Sequence, residues 1–214
     1  MAVGNKRLMK DRRYSMFKQI SSLVLALVLV SSNAFAGLIT FDTKAIDGPI
    51  TRGDLRNDYE NNGNAFTSRE IDDFSLIGIG RNSIGHVNIS FDMQFTNTWT
   101  LDFGLDAGYG AEVYVDGVLV VSRTDDLWWR RDWTNSDTFS LTDYTFGPGS
   151  HNIDLYFAES CCDGLSSIRL TNSFTQNVSI LTNSTLQAAT VPEPESIMLF
   201  AMALFGLALR YKAS

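Results

Sequence analysis

The chain of 214 residues has few of the side chains that build metal sites and cross-links, with only two cysteines and two histidines. Because the cysteines are the neighbours Cys161 and Cys162, an intramolecular disulfide can join only these two residues. Two thiolates without a nearby histidine or a further cysteine also make a poor zinc site. The nucleophile-elbow, HExxH and P-loop patterns are absent. Carboxylates abound, which leaves a glycosidase-like acid pair open, but no single acid stands out.

Long apolar runs are also absent. The longest, Ile197–Leu209, has 13 residues and lies near the C-terminus. At about 1.5 Å per residue, a helix over this run is roughly 20 Å long, short of the ~30 Å hydrocarbon core of a bilayer. The run is too apolar for a free soluble tail and too short for a comfortable permanent span. It therefore favours a temporary membrane anchor.

The N-terminal end has the pattern of a secretory signal peptide. A basic region that ends at Lys18 precedes the apolar run Leu23–Val30, and Ala34 and Ala36 form an A-x-A cleavage site. We predict that residues 1–36 are a signal peptide removed after Ala36, with Met16 as an alternative start. An uncleaved N-terminal anchor is the other interpretation of the same pattern.

The C-terminal end resembles a PEP-CTERM sorting signal. The matching residues are Pro192, Glu193, Pro194, the 197–209 run, Arg210 and Lys212. The resemblance implies processing by an exosortase in a Gram-negative bacterium that makes extracellular polysaccharide. The tail would be a transient inner-membrane anchor with its basic end on the cytoplasmic side. The protein would then reach the cell surface or the extracellular matrix. An ordinary C-terminal membrane anchor is the alternative.

Residues 37–190 carry 9 basic and 21 acidic side chains, a net charge of −12 against −7 for the whole chain. Such a surface repels nucleic acid and anionic membranes, so no nucleic-acid partner is expected. The length suits one domain with a real core. We predict a domain over residues 37–181, a flexible low-complexity linker over 182–190 without an apolar anchor, and the sorting tail over 191–214.

Alternation of apolar and polar residues is the dominant period of residues 37–181. It runs over Val87–Phe95 and again over Trp99–Leu105, and Asp116-Gly117 joins two β-rich runs as a hairpin turn. Further strands are predicted at 38–41, 74–79, 153–157, 168–170 and 178–180, and residues 47–72 are expected to form long loops with one short helical turn. The predicted fold class is all-β, an antiparallel β-sandwich or jelly roll, flanked by the signal helix and the short hydrophobic C-terminal helix.

The central region is similar to the protective-antigen-like carbohydrate-binding module and its fibro-slime relatives. The similar segments are 111–121, with the Asp-Gly hairpin, 128–133, 146–157, Gly164 and 168–170. The resemblance implies a β-sandwich or barrel and, in some members, calcium-dependent sugar binding. The acidic pair that usually precedes the hairpin is replaced here by residues 106–110, Asp-Ala-Gly-Tyr-Gly, so the chain departs from the calcium-binding pattern.

The motif Cys161-Cys162-Asp163-Gly164 predicts a vicinal disulfide, because exported proteins keep disulfides. It also resembles a subgroup of PEP-CTERM proteins named for a CCXG sequence. Consecutive Cα atoms are about 3.8 Å apart, below the usual disulfide spacing, so such a bond encloses almost no loop and would act through local rigidity or as a small apolar platform. Intermolecular bonds, free thiols and metal binding are the alternatives.

The segment 125–133 holds three tryptophans among acids and arginines. Aromatic faces stack on sugar C–H groups and carboxylates take hydroxyls, so Trp128, Trp129 and Asp126 are the predicted ligand-binding residues. The alternative is a loop that packs its tryptophans over the end of the sandwich, with arginines stacked on them. For the histidines, His151 is expected to be structural, and His86 is expected in a turn beside a glycine, without a candidate partner.

The sequence thus predicts an exported, non-enzymatic β-sandwich that interacts with extracellular polysaccharide, without a required cofactor. A structural matrix protein without a specific ligand and a small polysaccharide hydrolase are the two rivals.

Overall fold

The protein is described here by a computed structural model that covers residues 37–61, 65–162, 164–173, 176–190 and Leu204. The predicted signal peptide with Ala34 and Ala36 lies outside the described residues, as do the motif residues Pro192, Glu193, Pro194 and Arg210. The described residues form β1 Leu38–Ala45, α1 Leu55–Asn61, β2 Ala65–Ile71, β3 Ser83–Met93, β4 Asn97–Gly104, β5 Asp106–Ala107, β6 Ala111–Val115, β7 Val118–Arg123, β8 Leu127–Trp128, β9 Phe139–Phe146, β10 Gly149–Glu159, β11 Ser167–Asn172, β12 Val178–Ile180 and α2 Asn183–Thr190.

Two antiparallel sheets make the sandwich. One has six strands in the order β2-β1-β3-β10-β6-β7, and the other has four in the order β12-β11-β4-β9. Buried side chains from both sheets form one hydrophobic cluster, to which β3 contributes Val87 and Ile89 and β4 contributes Trp99 and Leu101. The all-β antiparallel prediction is confirmed. Within the described residues, no helix has both the length and the apolar character needed to cross a bilayer.

The two longest strands, β3 and β10, pair along their whole length, from Gly149 opposite Met93 to Glu159 opposite Ser83. Alternate residues of β3 point into the core, which is the pattern that the sequence predicted for a half-buried strand. At eleven residues each, these strands are about 35 Å long and separate the two ends of the sandwich.

The Asp116-Gly117 hairpin forms as predicted between β6 and β7. Both residues have positive φ, 50° and 80°, as a two-residue type I′ turn requires. Asp116 also accepts hydrogen bonds from the backbone N–H of Asn152 (2.9 Å) and at its other oxygen lies 2.8 Å from His151 Nδ1. The second ring nitrogen of His151 lies 2.8 Å from Gly147 O, so this histidine has the structural role that we expected.

Three segments differ from the sequence prediction. Residues 74–79 are not a strand: Phe74 is buried in the core, and Ile77 makes only an isolated bridge to Ser166. The predicted loops of 47–72 contain β2 as well as the short helix α1. β9 was not predicted. Its buried and exposed residues do not alternate through its middle, and its pairing with β4 is irregular there.

The predicted flexible linker is instead a helix. Thr182 caps α2 by accepting a hydrogen bond from the Thr185 backbone N–H at 2.9 Å. The Leu186 side chain is fully buried and packs against Gly37, where a Cβ would lie 2.2 Å from it. The prediction of a linker without an apolar anchor is therefore wrong, and the folded domain extends to Thr190.

His86 is also placed differently from the prediction. It lies on β3 and faces outward, with Nε2 2.7 Å from Asp154 Oδ1 and its ring stacked on Tyr156 at a centroid separation of 4.5 Å. Tyr59 of α1 packs against both rings. Because the partners come from β10 and α1, which are distant in sequence, the sequence alone did not reveal them.

Candidate binding site at one end of the sandwich

Three loops meet at the end of the sandwich where β10 terminates, and we call this the site end. They comprise residues 105–110, 124–138 and 160–166. The short strands β5 and β8 join the first two loops, since Asp106 pairs with Trp128 and Ala107 with Leu127. Two carboxylates join the third loop to the first: Asp106 accepts a hydrogen bond from Gly164 N, and Glu159 accepts one from Gly108 N.

In the tryptophan segment, residues 125–133, one ring lies in the core and another lies on the surface. Trp129 is 3 % exposed, whereas Trp128 is 55 % exposed. Trp129 covers Gly104, where a Cβ would lie 2.5 Å from the indole, and its ring contacts Trp133 at 4.6 Å between centroids. Trp129 therefore presents no face to solvent, and its burial corrects the prediction that it binds ligand directly.

Arginines stack on two of the three rings, as the alternative interpretation of this segment expected. The guanidinium of Arg130 lies 4.1 Å from the Trp128 ring centroid, and that of Arg169 lies 4.5 Å from the Trp133 ring centroid. Arg169 is itself fixed by a 2.7 Å ion pair with Asp102. Despite its arginine, Trp128 keeps more than half of its surface in solvent, whereas Trp133 is partly buried.

The backbone around Trp128 is held by side chains of the same loop. Asn135 donates to the carbonyl oxygen of Trp128 at 2.8 Å, and Asp137 accepts from its N–H at 3.1 Å. Arg130 and Arg131 follow in the left-handed region, with φ of 57° and 61°. Non-glycine residues adopt this conformation where the surroundings over-determine it. The exposed indole is thus presented by a fixed turn.

Asp106 connects the tryptophan segment to the cysteine loop. It pairs across the sheet with Trp128, and its Oδ2 accepts a hydrogen bond from Gly164 N at 2.5 Å. A Cβ at Gly164 would lie 2.1 Å from that oxygen, so only glycine permits this approach. Ser166 Oγ also accepts from the Asp106 N–H at 3.1 Å.

Cys161 and Cys162 are exposed, and their sulfur atoms lie at disulfide distance, as the sequence predicted. Glu159, almost fully buried, fixes this loop: Oε1 accepts from Ser160 N (2.8 Å) and Cys161 N (2.7 Å). Its Oε2 accepts from Gly108 N at 2.8 Å. One carboxylate therefore ties the cysteine loop to the loop after β5.

Asp126, the third predicted ligand-binding residue, is exposed two positions before Trp128. The neighbouring Asp125 is engaged by Arg123 at 2.8 Å and 2.5 Å, and this hydrogen bonding lowers the pKa of Asp125. Arg52 reaches the same region from outside and donates to the carbonyl oxygens of Thr124 and Gly108 at 2.5 Å and 2.6 Å. Both acids of the Asp125-Asp126 pair are exposed, and Asp125 is the one held by an arginine.

The site end does not fit the calcium that the family resemblance implies. In place of an acidic pair, Asp106 is followed by Ala107, which is buried and supplies no carboxylate. The carboxylates of Asp106 and Glu159 accept hydrogen bonds from backbone N–H groups. Among the described residues, no three acidic, histidine or cysteine side chains converge as metal ligands.

Comparison with known proteins gives one match to a family model, at the end of the chain. Residues 190–213 match the PEP-CTERM protein-sorting motif. The C-terminal segment is a PEP-CTERM sorting signal. This motif implies export and sorting to the cell surface. Among curated proteins, none matches this chain in sequence.

Several solved structures are similar to the chain. They include a PA14 sugar-binding domain from an RTX adhesin (TM-score 0.49, 11 % identity, 71 % of this chain and 97 % of that chain). They also include the PA14 domain of the antifreeze protein MpAFP (TM-score 0.47, 14 % identity, 72 % and 90 %). A third is the epithelial adhesin 9 A domain of Candida glabrata in complex with Galb1-3GlcNAc (TM-score 0.48, 11 % identity, 70 % and 88 %).

Sequence reasoning missed Glu159 and the link made by Asp106. Nothing in the local sequence distinguishes Glu159, because its link to the first loop depends on Gly108, which is 51 residues away. In the sequence, Asp106 was noted only because residues 106–110 depart from the calcium-binding pattern. The adjacent tryptophans were found, but their composition did not show which of them faces solvent.

Proposed function

We propose that this is an exported surface protein whose β-sandwich binds carbohydrate at the site end, with Trp128 as the stacking platform. The observation that carries the proposal is the exposed indole of Trp128, held in a fixed turn beside Asp106. Ligand sites combine aromatic surface with a few placed polar groups, and Asp126 would take sugar hydroxyls here. The Cys161–Cys162 pair adds a small rigid apolar surface on the neighbouring loop.

Binding without hydrolysis is the activity that the acids of this end support. A glycosidase needs a carboxylic acid whose pKa is raised so that it can protonate the leaving group. Hydrogen bonds from Arg123 lower the pKa of Asp125, and hydrogen bonds from the N–H and hydroxyl of Thr134 lower that of Asp132. The carboxylates of Asp106 and Glu159 are engaged by backbone N–H groups.

The sorting signal supports a proposal for how the protein is processed and where it acts. We propose that an exosortase removes the tail after a transient stay in the inner membrane of a Gram-negative bacterium. The protein then meets extracellular polysaccharide at the cell surface or in the matrix. Mass measurement of the protein from cells with and without the exosortase tests this step: the tail should persist only without the enzyme.

Glycan binding by the secreted protein tests the main proposal. On a glycan array followed by titration with the best ligand, Trp128→Ala should abolish binding and Trp128→Phe should retain part of it. Val118→Ala is the matched control, because Val118 is also an exposed apolar side chain but lies beside the Asp116-Gly117 turn, at the opposite end of the sandwich. Absence of binding to any glycan would favour a structural matrix protein, and release of reducing sugar by the purified protein would favour a hydrolase.

A further inference from the structure

We propose that the opposite end of the sandwich, which we call the tail end, rests on the lipid bilayer while the sorting tail anchors the chain. The tail end comprises the turns at 94–96, 116–117 and 147–148 and the C-terminal end of α2. The inference rests on the proposed membrane anchoring of the tail and adds to it a lipid-contacting surface and an orientation for the domain.

Helix α2 fixes the point at which the tail leaves the domain. Its first residue, Asn183, donates from its backbone N–H to Asp72 O at 2.8 Å. Near its end, Asn97 Nδ2 donates to Ala189 O at 3.0 Å, and Thr190 is buried. Asn97 begins β4 directly after the 94–96 turn, so the chain enters the sorting signal at this end of the sandwich.

The tail is too short to hold the domain far from the membrane. Seven residues lead from Thr190 to Ile197, where the apolar run begins. Fully extended, they reach at most about 25 Å, less than the length of β3 or β10. If the apolar run enters the bilayer, the tail end must stay close to the lipid surface, because the far end of the sandwich is out of reach.

The surface of the tail end carries exposed apolar side chains where turns and edge strands end. Phe95, in the 94–96 turn, is 50 % exposed, and Val118, directly after the Asp116-Gly117 turn, is 65 % exposed. Leu119 and Val178 are exposed as well, and Val178 pairs with Thr171 near the start of β4 on the other sheet. Exposed apolar side chains grouped at one end of a soluble domain mark a contact with a membrane or a partner.

Charge favours an apolar contact with neutral lipid. None of the nine basic residues of 37–190 lies within the turns of the tail end, although Arg56 donates to the carbonyl oxygen of Gly117 at 3.4 Å. Asp116 lies in one of these turns, and Asp92 lies near the end of β3. Basic residues provide the attraction to anionic lipid, at roughly 1 kcal/mol each near the surface. The tail end therefore contacts a zwitterionic surface through Phe95 and its apolar neighbours.

Tryptophan quenching by brominated lipid tests the orientation. The chain, isolated from bacterial membranes with its tail intact, is placed in phosphatidylcholine vesicles as Phe95→Trp and, for control, as Leu76→Trp at the site end. Flotation of the vesicles first reports whether the tail anchors the chain. We expect Phe95→Trp to lose emission with brominated lipid and Leu76→Trp to keep its emission.

The outcomes distinguish a failure of membrane anchoring from a failure of the proposed orientation. A chain that does not float with vesicles overturns the proposed anchoring, and with it this inference. A chain that floats but shows equal quenching at positions 95 and 76, or more at 76, overturns the orientation alone. Loss of the Phe95→Trp quenching after the tail is cleaved off would show that the contact depends on anchoring, as expected.

Discussion

At the scale of single residues, the site end depends on a carboxylate that accepts several backbone hydrogen bonds and on glycines that leave room for neighbouring side chains. Glu159 satisfies three backbone N–H groups from two loops, Gly164 makes room for Asp106, and Gly104 makes room for Trp129. None of these roles follows from the composition of a short window, because each partner is more than twenty residues away or depends on a turn. The residues that form the candidate platform are therefore held in place by residues outside it.

Glu159→Gln should destabilise the domain. The glutamine amide keeps one accepting oxygen, but its NH2 group faces a backbone N–H that the carboxylate would have accepted. Hydrogen bonds to a charged group contribute about 1.5–3 kcal/mol to folding stability. We expect a loss of that order in the free energy of unfolding, measured by denaturant titration. Glu60→Gln is the control, since Glu60 is exposed and forms only an i,i+4 pair with Arg56. Equal effects of the two changes would show that Glu159 does not hold the loops.

Gly104→Ala tests the packing of Trp129. The new Cβ would lie 2.5 Å from the indole, so the ring or the strand must move, and overpacking of this kind costs about 1–3 kcal/mol. The same denaturant titration measures the loss. Gly48→Ala meets no atom within 4 Å and should leave stability nearly unchanged. A Gly104→Ala protein as stable as Gly48→Ala would place Trp129 outside the core.

His151 should make stability depend on pH. Burial disfavours its charged form, but hydrogen bonds to Asp116 and Gly147 O outweigh this and raise its pKa above 6.5. Its stabilising contribution is complete below pH 6.5 and is lost as the pH rises through the raised value. The stability difference between the natural protein and His151→Gln should shrink over that interval. Asp116→Asn should flatten this dependence, and a difference that grows with pH would contradict the assignment.

At the scale of elements, the sequence revealed those whose pattern is local. The alternation of β3 and the Asp116-Gly117 turn were predicted, because a half-buried strand and a tight turn each leave a short-range pattern. β2 was missed because its composition is polar, and α2 because Leu186 is the one large apolar residue in TNSTLQAAT. Likewise, the sequence did not show which of Trp128 and Trp129 faces solvent, because only the packing of the sheets decides which side is the core.

Leu186→Ala tests whether α2 is part of the domain. Truncation of a fully buried leucine leaves a cavity and costs about 2–5 kcal/mol in the free energy of unfolding. Gln187→Ala, at an exposed position of the same helix, should change stability little. A cost below about 0.5 kcal/mol for Leu186→Ala would restore the flexible linker that the sequence predicted.

At the scale of the whole molecule, the sandwich has two chemically different ends. The site end carries the exposed tryptophan, the cysteine pair and many of the arginines, whereas the tail end carries exposed apolar side chains and receives α2. The eleven-residue strands β3 and β10 separate them by about 35 Å. A domain anchored through one end would then present its ligand site at the other.

This separation predicts that anchoring leaves sugar binding unchanged. The affinity of the vesicle-anchored chain for its best glycan should equal that of the same protein after the tail is removed, because neither the tail nor the lipid reaches the site end. Titration calorimetry on both forms measures the two dissociation constants, with Trp128→Ala in each form as the control for specific binding. A weaker affinity in the anchored form alone would mean that the site end faces the bilayer and that exosortase cleavage exposes it. Equal affinities would allow the protein to bind polysaccharide before it is released, so that a growing polymer could be captured at the membrane where the tail still holds the domain.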